Sequence, residues 1–306
     1  MRILGAVKKH ALSAGHIGCV GDVTTLNVAR GCAGACVFCH SRCLPGAPDA
    51  GQLLLYFDLP QQLRGEVEQR RKAPPPSYVV FSTASDGFLG GAPVLQVTRA
   101  CLEILLNRDI GVSLSTRGMI PEDVLALLGR HARHVRVTVP LPSLSDEYTR
   151  HWEPGAVLPQ QRLYLIQRLL QVGIQPRVRI EPLIPFVNDH TEQVRDVISA
   201  VVGLGVAEAT IGFLHLRPGV AEQLQREAPP DMQRLLLGSF PSEGDFRHLP
   251  AKTRVGGLRR IQRIAREHGL HVSACHCQNP GIPAGRCPVA PPELPTPRGQ
   301  QGALFE

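Results

Sequence analysis

Short runs of branched apolar residues alternate along the chain with longer segments whose apolar positions recur every three or four residues. The first kind comprises TTLNVAR (24–30), SYVVFST (77–83), GVSLSTR (111–117), HVRVTVP (134–140), QPRVRIEPL (175–183) and AEATIGFLHL (207–216), all with strand composition. The second kind comprises LPQQLRGEVEQRR (59–71), PVLQVTRACLEILLNR (93–108), PEDVLALLGRH (121–131), LPQQRLYLIQRLLQVG (158–173) and DHTEQVRDVISAVVGLG (189–205), which read as amphipathic helices. Asp189, three residues before Glu192, makes a capping-box pattern, and Gly173 and Gly205 mark helix ends. Regular strand and helix alternation predicts a parallel sheet with right-handed crossovers. Six units predict an α/β fold, a partial (β/α)6 TIM-type barrel, with its chemistry at the C-terminal ends of the strands.

The pattern changes after the sixth unit. PPDMQRLLLGSFPSEGDFRHLPAKT (229–253) reads as loop-rich, and PVAPPELPTPRGQQGALFE (288–306) as an extended proline-rich tail. The expected organisation is a barrel over 1–218, a C-terminal extension with a cysteine-rich cap over 219–287, and the tail over 288–306. With 306 residues and 43% apolar side chains, the chain can bury a large core. No run reaches the ~20 apolar residues of a membrane span, and the first residues do not resemble a secretory leader. A cytoplasmic protein without membrane association is therefore expected.

The formal net charge of +7 suits an anionic partner. Its densest segment, KTRVGGLRRIQRIAREHG (252–269), places Leu258, Ile261 and Ala265 on one helical stripe and Arg259, Arg260, Arg263 and Arg266 mostly off it. A solvated helix face and a phosphate-binding face both remain open for it. Nine cysteines, an odd number bunched towards the two ends, fit metal ligation in a reducing compartment better than a disulfide framework.

Four of the nine fall within RGCAGACVFCHSRC (30–43), directly after the first predicted strand. Cys32, Cys36 and Cys39 have C-x3-C-x2-C spacing in a loop of small residues, Gly31, Ala33, Gly34 and Ala35. Three thiolates on such a loop can hold three irons of a 4Fe-4S cluster and leave the fourth open to a second molecule. A structural zinc site is the alternative, although it usually takes four ligands. Cys43 and His40 lie outside the motif.

With its aromatic residue, Phe38, before the last cysteine, CAGACVFC resembles the signature of the radical S-adenosylmethionine (SAM) superfamily. The resemblance implies a 4Fe-4S cluster whose open iron is chelated by the amino and carboxylate groups of SAM. It further implies reductive cleavage to a 5'-deoxyadenosyl radical, with electrons from a flavodoxin, ferredoxin or reductase. The order FSTASD, LSTRG, VRVTVPL, WEPGAVLPQQRL and EPLIPFVND, between about Thr24 and His215, resembles the spore photoproduct lyase-like branch. That narrower resemblance implies cofactor contacts from Phe38, Ser85, Arg117 and Thr138. It also implies a departure: the DNA-repairing lyase carries a hydrogen-donating cysteine near the end of the second strand. Here the stretch reads Ser82, Thr83, Ala84, Ser85, Asp86, without a thiol. DNA repair is accordingly not favoured.

Two further constellations remain. Arg177, Arg179 and Glu181 alternate with Val178 and Ile180, so the three charged groups share one face of a strand. If that face is the barrel interior, Arg177 and Glu181 are candidate catalytic-cavity residues; an internal ion pair is the alternative. Trp152 and Glu153 either face the same cavity or pack the following helix. Near the C-terminus, Cys275, Cys277 and Cys287 make C-x-C-x9-C, with His276 and Asn279 nearby, and suggest an auxiliary 4Fe-4S cluster or a zinc site. The combined expectation is a radical SAM enzyme that abstracts hydrogen from an unidentified small molecule, peptide or nucleic acid. The alternatives are a DNA-lesion lyase and a non-catalytic, metal-stabilised nucleic-acid-binding protein.

Overall fold

The computed structural model describes residues 1–18, 20–68, 74–241, 246–275, 279–282 and 290. In chain order the elements begin with β1 (Arg2–Gly5), β2 (Leu12–Ile17), β3 (Gly21–Leu26), β4 (Ala29–Arg30) and β5 (Gln52–Leu55). The repeating units follow as α1 (Leu59–Glu68), β6 (Tyr78–Phe81), α2 (Ala92–Leu106), β7 (Gly111–Ser115), α3 (Glu122–Arg130), β8 (Val135–Pro140), α4 (Asp146–Trp152), α5 (Pro159–Gln171), β9 (Arg177–Leu183), α6 (Thr191–Gly203) and β10 (Glu208–Phe213). The chain continues through β11 (His215–Leu216), α7 (Val220–Glu227), α8 (Pro230–Gly238), β12 (Arg247–His248), α9 (Ala251–Glu267) and β13 (His271–Ala274).

The main sheet runs β13-β10-β9-β8-β7-β6-β3-β2. Its neighbours from β3 to β13 pair in parallel, and β2 closes one edge as an antiparallel hairpin partner of β3. The six predicted strands are therefore consecutive in the sheet as β3 and β6 to β10, as a partial barrel requires, although the ends of the first and the last, β4 and β11, pair in separate small sheets. Strands covered by crossover helices are buried on both faces, which is why Tyr78, Val79, Val80 and Phe81 of β6 are all buried and apolar. The stripe of α9 behaves as its period predicts: Leu258, Ile261 and Ala265 are buried, while Arg259, Arg263 and Arg266 are exposed. Arg254 is the exception on that helix, buried and donating to Leu249 O and Pro280 O at 2.8 Å each.

Three local expectations need correction. The 229–253 stretch contains α8, which starts on the proline pair Pro229–Pro230, where a missing N–H and a preset φ suit a first helical turn. Asp189 does not cap α6; the N-cap is His190, and Asp189 Oδ1 accepts from Phe186 N at 2.9 Å. The strand pattern also misses β13, because HVSA is too short for a period to show, although it pairs with β10 as the seventh parallel strand. Gly173 and Gly205 do sit past helix ends at φ 79° and 89°, the left-handed conformation that glycine reaches without steric cost.

Candidate active site

The cysteine loop follows β4 and lies over the C-terminal ends of the strands. Its small residues have distinct jobs. Gly31 adopts φ 81° and Ala35 φ 46°, so the loop turns twice through the left-handed region. A Cβ on Gly34 would stand 3.4 Å from Cys32 Sγ, 3.7 Å from Cys36 Sγ and 3.2 Å from Leu89, so glycine leaves room for both sulfurs. Cys32, Cys36 and Cys39 open on one cavity of about 420 Å³, whose opposite walls come from the ends of β6 and β7.

Several contacts tie this loop to the rest of the barrel. Val37 N donates to Trp152 O and Gly155 N to Gly34 O, each at 3.0 Å. A Cβ on Gly155 would collide with Ala33 O, so the close approach demands glycine there. Glu153, 0% exposed, sits between two guanidinium groups: Arg117 Nε at 2.7 Å and Arg162 Nη2 at 2.5 Å. Arg162, 1% exposed, also donates to Val157 O and Pro140 O at 3.0 Å. Burial alone would raise the Glu153 pKa, but the two arginines outweigh it and hold the carboxyl below its ordinary range. The EPGA stretch and the arginine of the next helix are thus one clamp, and Glu153 packs this loop rather than facing the cavity.

On the other side, α7 contributes Gln223, buried, whose Nε2 donates to Val37 O at 2.6 Å and lies within 3.5 Å of Cys36 O and Cys39 O. Arg42 donates to Cys36 O at 3.1 Å and is paired with Glu227 of α7 at 2.6 Å. Cys43 packs beside α7, its Sγ 3.6 Å from Gln223 Oε1, and is not part of the cavity wall. These groups come from 180 residues downstream, so no spacing in the sequence marks them as loop supports.

Of the predicted cofactor contacts, Ser85 lines the cavity, and its buried hydroxyl has no hydrogen-bond partner among the described residues; the same holds for Ser82 and Ser113. Arg117 lines it too, with its guanidinium 5.8 Å from the Phe38 ring. Burial opposes the charge on Arg117, yet Glu153, with Cys36 and Tyr148, raises its pKa overall. Asp86, which the sequence did not single out, joins the two strand ends: it accepts from Phe88 N at 2.9 Å, Thr116 Oγ1 at 2.8 Å and Arg117 N at 2.7 Å. Thr138 is fully buried in β8 and lies outside the walls of this cavity and of its neighbour.

That neighbouring chamber, of about 230 Å³, is lined by Phe38, Arg179, Glu181, His215 and Arg217 among others. Arg179 and Glu181, two residues apart on β9, pair on its wall, Nε to Oε2 at 2.8 Å, so this part of the alternating face does point inward. Arg177, at the start of β9, lines neither cavity, because the strand's C-terminal end carries the opening. Of the C-terminal cysteines, Cys275 is buried at the end of β13 and lines the cavity that holds Cys32, Cys36 and Cys39. A thiol therefore does reach this cavity, from a strand at the far edge of the sheet. Cys277, Cys287 and His276 lie outside the described residues.

The chain's own groups fit an iron-sulfur cluster with a bound polar cofactor. Burial, with Asp86 nearby, pushes the Cys32 thiol up to about 12, and burial raises Cys36 as well. Such thiols shed their protons only when a cation replaces them, as iron does. The unpaired hydroxyls of Ser82, Ser85 and Ser113 call for an occupant with donors and acceptors, since an unsatisfied buried hydroxyl costs about 1–3 kcal/mol.

An open α/β barrel with a three-cysteine loop over its strand ends is the class of protein that fold and site define. A profile of the radical SAM superfamily matches residues 26–198, and the chain belongs to that superfamily. An uncharacterized protein of Mycobacterium tuberculosis is 26% identical over 202 residues, 63% of this chain and 59% of that protein. The match thus covers less than two thirds of that relative. An uncharacterized protein of Acidianus two-tailed virus is 26% identical over 211 residues, 65% of this chain and 69% of that protein. Among solved structures, a spore photoproduct lyase variant with bound AdoMet and dinucleoside spore photoproduct has a TM-score of 0.66 at 15% identity, covering 88% of this chain and 81% of the lyase. A second variant of that lyase gives 0.65 at 16% identity, with the same coverage. This likeness is one of fold.

The Gln223 contacts yield an expectation of their own. Gln223→Ala removes the donor held by the Val37 carbonyl and leaves that carbonyl buried, at a cost of about 1–3 kcal/mol concentrated on the cysteine loop. The variant should lose reconstituted iron to a chelator faster than wild type. Equal rates would show that α7 does not brace the loop.

Proposed function

We propose that this protein reductively cleaves SAM at a 4Fe-4S cluster held by Cys32, Cys36 and Cys39 and uses the resulting radical to abstract hydrogen from a substrate in the adjoining chamber. The observation that carries this reading is the single cavity shared by the three cysteines and the unpaired hydroxyls of Ser82, Ser85 and Ser113. When bound, the cluster and SAM supply a reducing electron and a 5'-deoxyadenosyl radical. The protein's part is placement. Ser85 and Ser113 donate to or accept from the cofactor's polar groups, and Asp86 fixes the Arg117 backbone beside them. Phe38 and the Arg179–Glu181 pair form the wall towards the substrate. No helix among the described residues is long and apolar enough to cross a membrane. A cytoplasmic setting, with a flavodoxin, ferredoxin or reductase as electron donor, suits an oxygen-sensitive cluster.

The test is electron paramagnetic resonance of the anaerobically reconstituted, dithionite-reduced protein. SAM should change the cluster spectrum, and 5'-deoxyadenosine should accumulate slowly without substrate. A spectrum indifferent to SAM would favour the non-catalytic, metal-stabilised alternative.

A second reading, a DNA-lesion lyase, is favoured by one observation: Cys275 brings to the cavity the thiol that the end of β6 lacks. Conversion of dinucleoside spore photoproduct to thymidines, dependent on Cys275, would establish it.

The C-terminal cysteines are also proposed to hold an auxiliary 4Fe-4S cluster, with zinc as the alternative. Wild-type protein should then carry about eight irons per chain, and the combined Cys275, Cys277 and Cys287 alanine variant about half. Four irons in both would leave Cys275 as a thiol of the cavity.

A further inference from the structure

We infer that Arg217 binds an oxyanion of the substrate, a carboxylate or a phosphate, in the chamber beside the cysteine cavity. The inference rests on the proposed function only for what occupies the neighbouring cavity. Three guanidinium groups stand on the wall that the two spaces share, those of Arg117, Arg179 and Arg217. Two of them are neutralised by carboxylates, Arg117 by Glu153 at 2.7 Å and Arg179 by Glu181 at 2.8 Å. Arg217 has no carboxylate within ion-pair range among the described residues. Its Nε instead donates to His215 Nε2 at 2.9 Å.

That single bond orients the group. His215 stacks on His248 with ring centroids 5.5 Å apart, and the two residues are directly paired across β11 and β12. The small antiparallel ribbon therefore holds the imidazole in place. Burial, followed by Arg217 and the neighbouring histidines, pulls the His215 pKa down to about 3, so the ring stays neutral and accepts from Arg217. Anchored through Nε, the guanidinium keeps its two terminal nitrogens for a ligand. Parallel N–H groups on a planar fork match the two oxygens of a carboxylate or phosphate. The other described residues on the chamber wall, Phe38, Pro182, Leu214 and the imidazole of His40 among them, bring no competing negative charge, and Glu181, the one carboxylate there among the described residues, is engaged by Arg179. Among the described residues, Arg217 is therefore the oriented cation without a carboxylate partner that an anion entering this space meets.

The experiment is equilibrium dialysis of radiolabelled inorganic phosphate, and separately acetate, against the cluster-loaded protein under anaerobic conditions, with and without saturating SAM. One saturable site is expected for at least one of the two anions, and it should persist when SAM is bound. Tighter phosphate binding would mark a phosphorylated or phosphodiester substrate; tighter acetate binding, a carboxylate. Arg217→Ala should weaken the site by roughly tenfold or more, the loss of a charge-assisted bidentate contact, and Arg217→Lys by less. Arg266→Ala, which removes an exposed arginine of α9, should leave the site unchanged.

No saturable site, or equal affinity in Arg217→Ala, would overturn the inference. So would displacement of the anion by SAM, because Arg217 would then serve the cofactor's carboxylate. Should Arg217→Ala fail to fold by circular dichroism, a crystal of the wild type with phosphate decides, and an ion bound away from Arg217 refutes the assignment. Failure of the radical SAM reading has its own signature, a cluster spectrum unchanged by SAM, whatever the dialysis gives.

Discussion

Replacing Cys32, Cys36 and Cys39 together with alanine should abolish formation of 5'-deoxyadenosine from SAM under reducing conditions. The three thiols share one cavity, and burial holds Cys32 and Cys36 protonated until a cation takes the place of the proton. Alanine supplies no ligand, so the loop could no longer hold the cluster that would supply the reducing electron. The expected effect is complete loss, read by chromatography of the product against wild type. A variant with intact circular dichroism that still makes 5'-deoxyadenosine would remove the cysteine loop from the mechanism. Cys43→Ala should behave as wild type in the same assay, because Cys43 faces Gln223 of α7 and not the cavity.

The second large effect is expected from Glu153→Gln. Glu153 is 0% exposed and neutralises Arg117 and the almost fully buried Arg162 together. Removing one partner of a buried ion pair leaves uncompensated charge and typically costs about 3–5 kcal/mol. Because Gly155, two residues on, is bonded to Gly34, the loss falls on the cysteine loop as well as on global stability. Denaturant unfolding should show a drop of this order, accompanied by poor iron incorporation. A near-neutral result would mean that the clamp is not what holds the loop.

The same pair predicts a pH dependence. The two arginines hold the folded Glu153 pKa below its ordinary value, so its contribution is complete above the usual carboxylate range and is lost as pH falls through the lowered folded value. The stability difference between wild type and Glu153→Gln should therefore shrink in acid. Asp86 is common to both proteins and cancels from that difference.

Much of the barrel and the metal loop was legible in the chain itself. Six strands and their helices declared themselves by period, since a strand covered on both faces must be continuously apolar and a covering helix must show one apolar stripe. The C-x3-C-x2-C spacing pointed to a shared cysteine loop, because the convergence of three thiols on one short loop is a local property, and the three do open on one cavity. Ser85 and Arg117 were found at strand ends, and the cavity lies there.

What only the tertiary structure decided is which distant groups share that space. Thr138 and Arg177 have the right chemistry but line neither cavity, Thr138 being buried within the sheet and Arg177 standing at the start of β9. Glu153 could have faced the cavity or packed a helix, and the position of Arg162 on α5 determines that it packs. Gln223, Glu227, Arg217 and Cys275 come to the cysteine loop or its cavity, and His215 to the neighbouring chamber, through the order of the strands and the return of the chain over the strand ends. Period and spacing report contacts within a turn of helix or a few residues of loop. Pairing across 180 residues depends on sheet order and crossovers, which leave no local trace in the sequence.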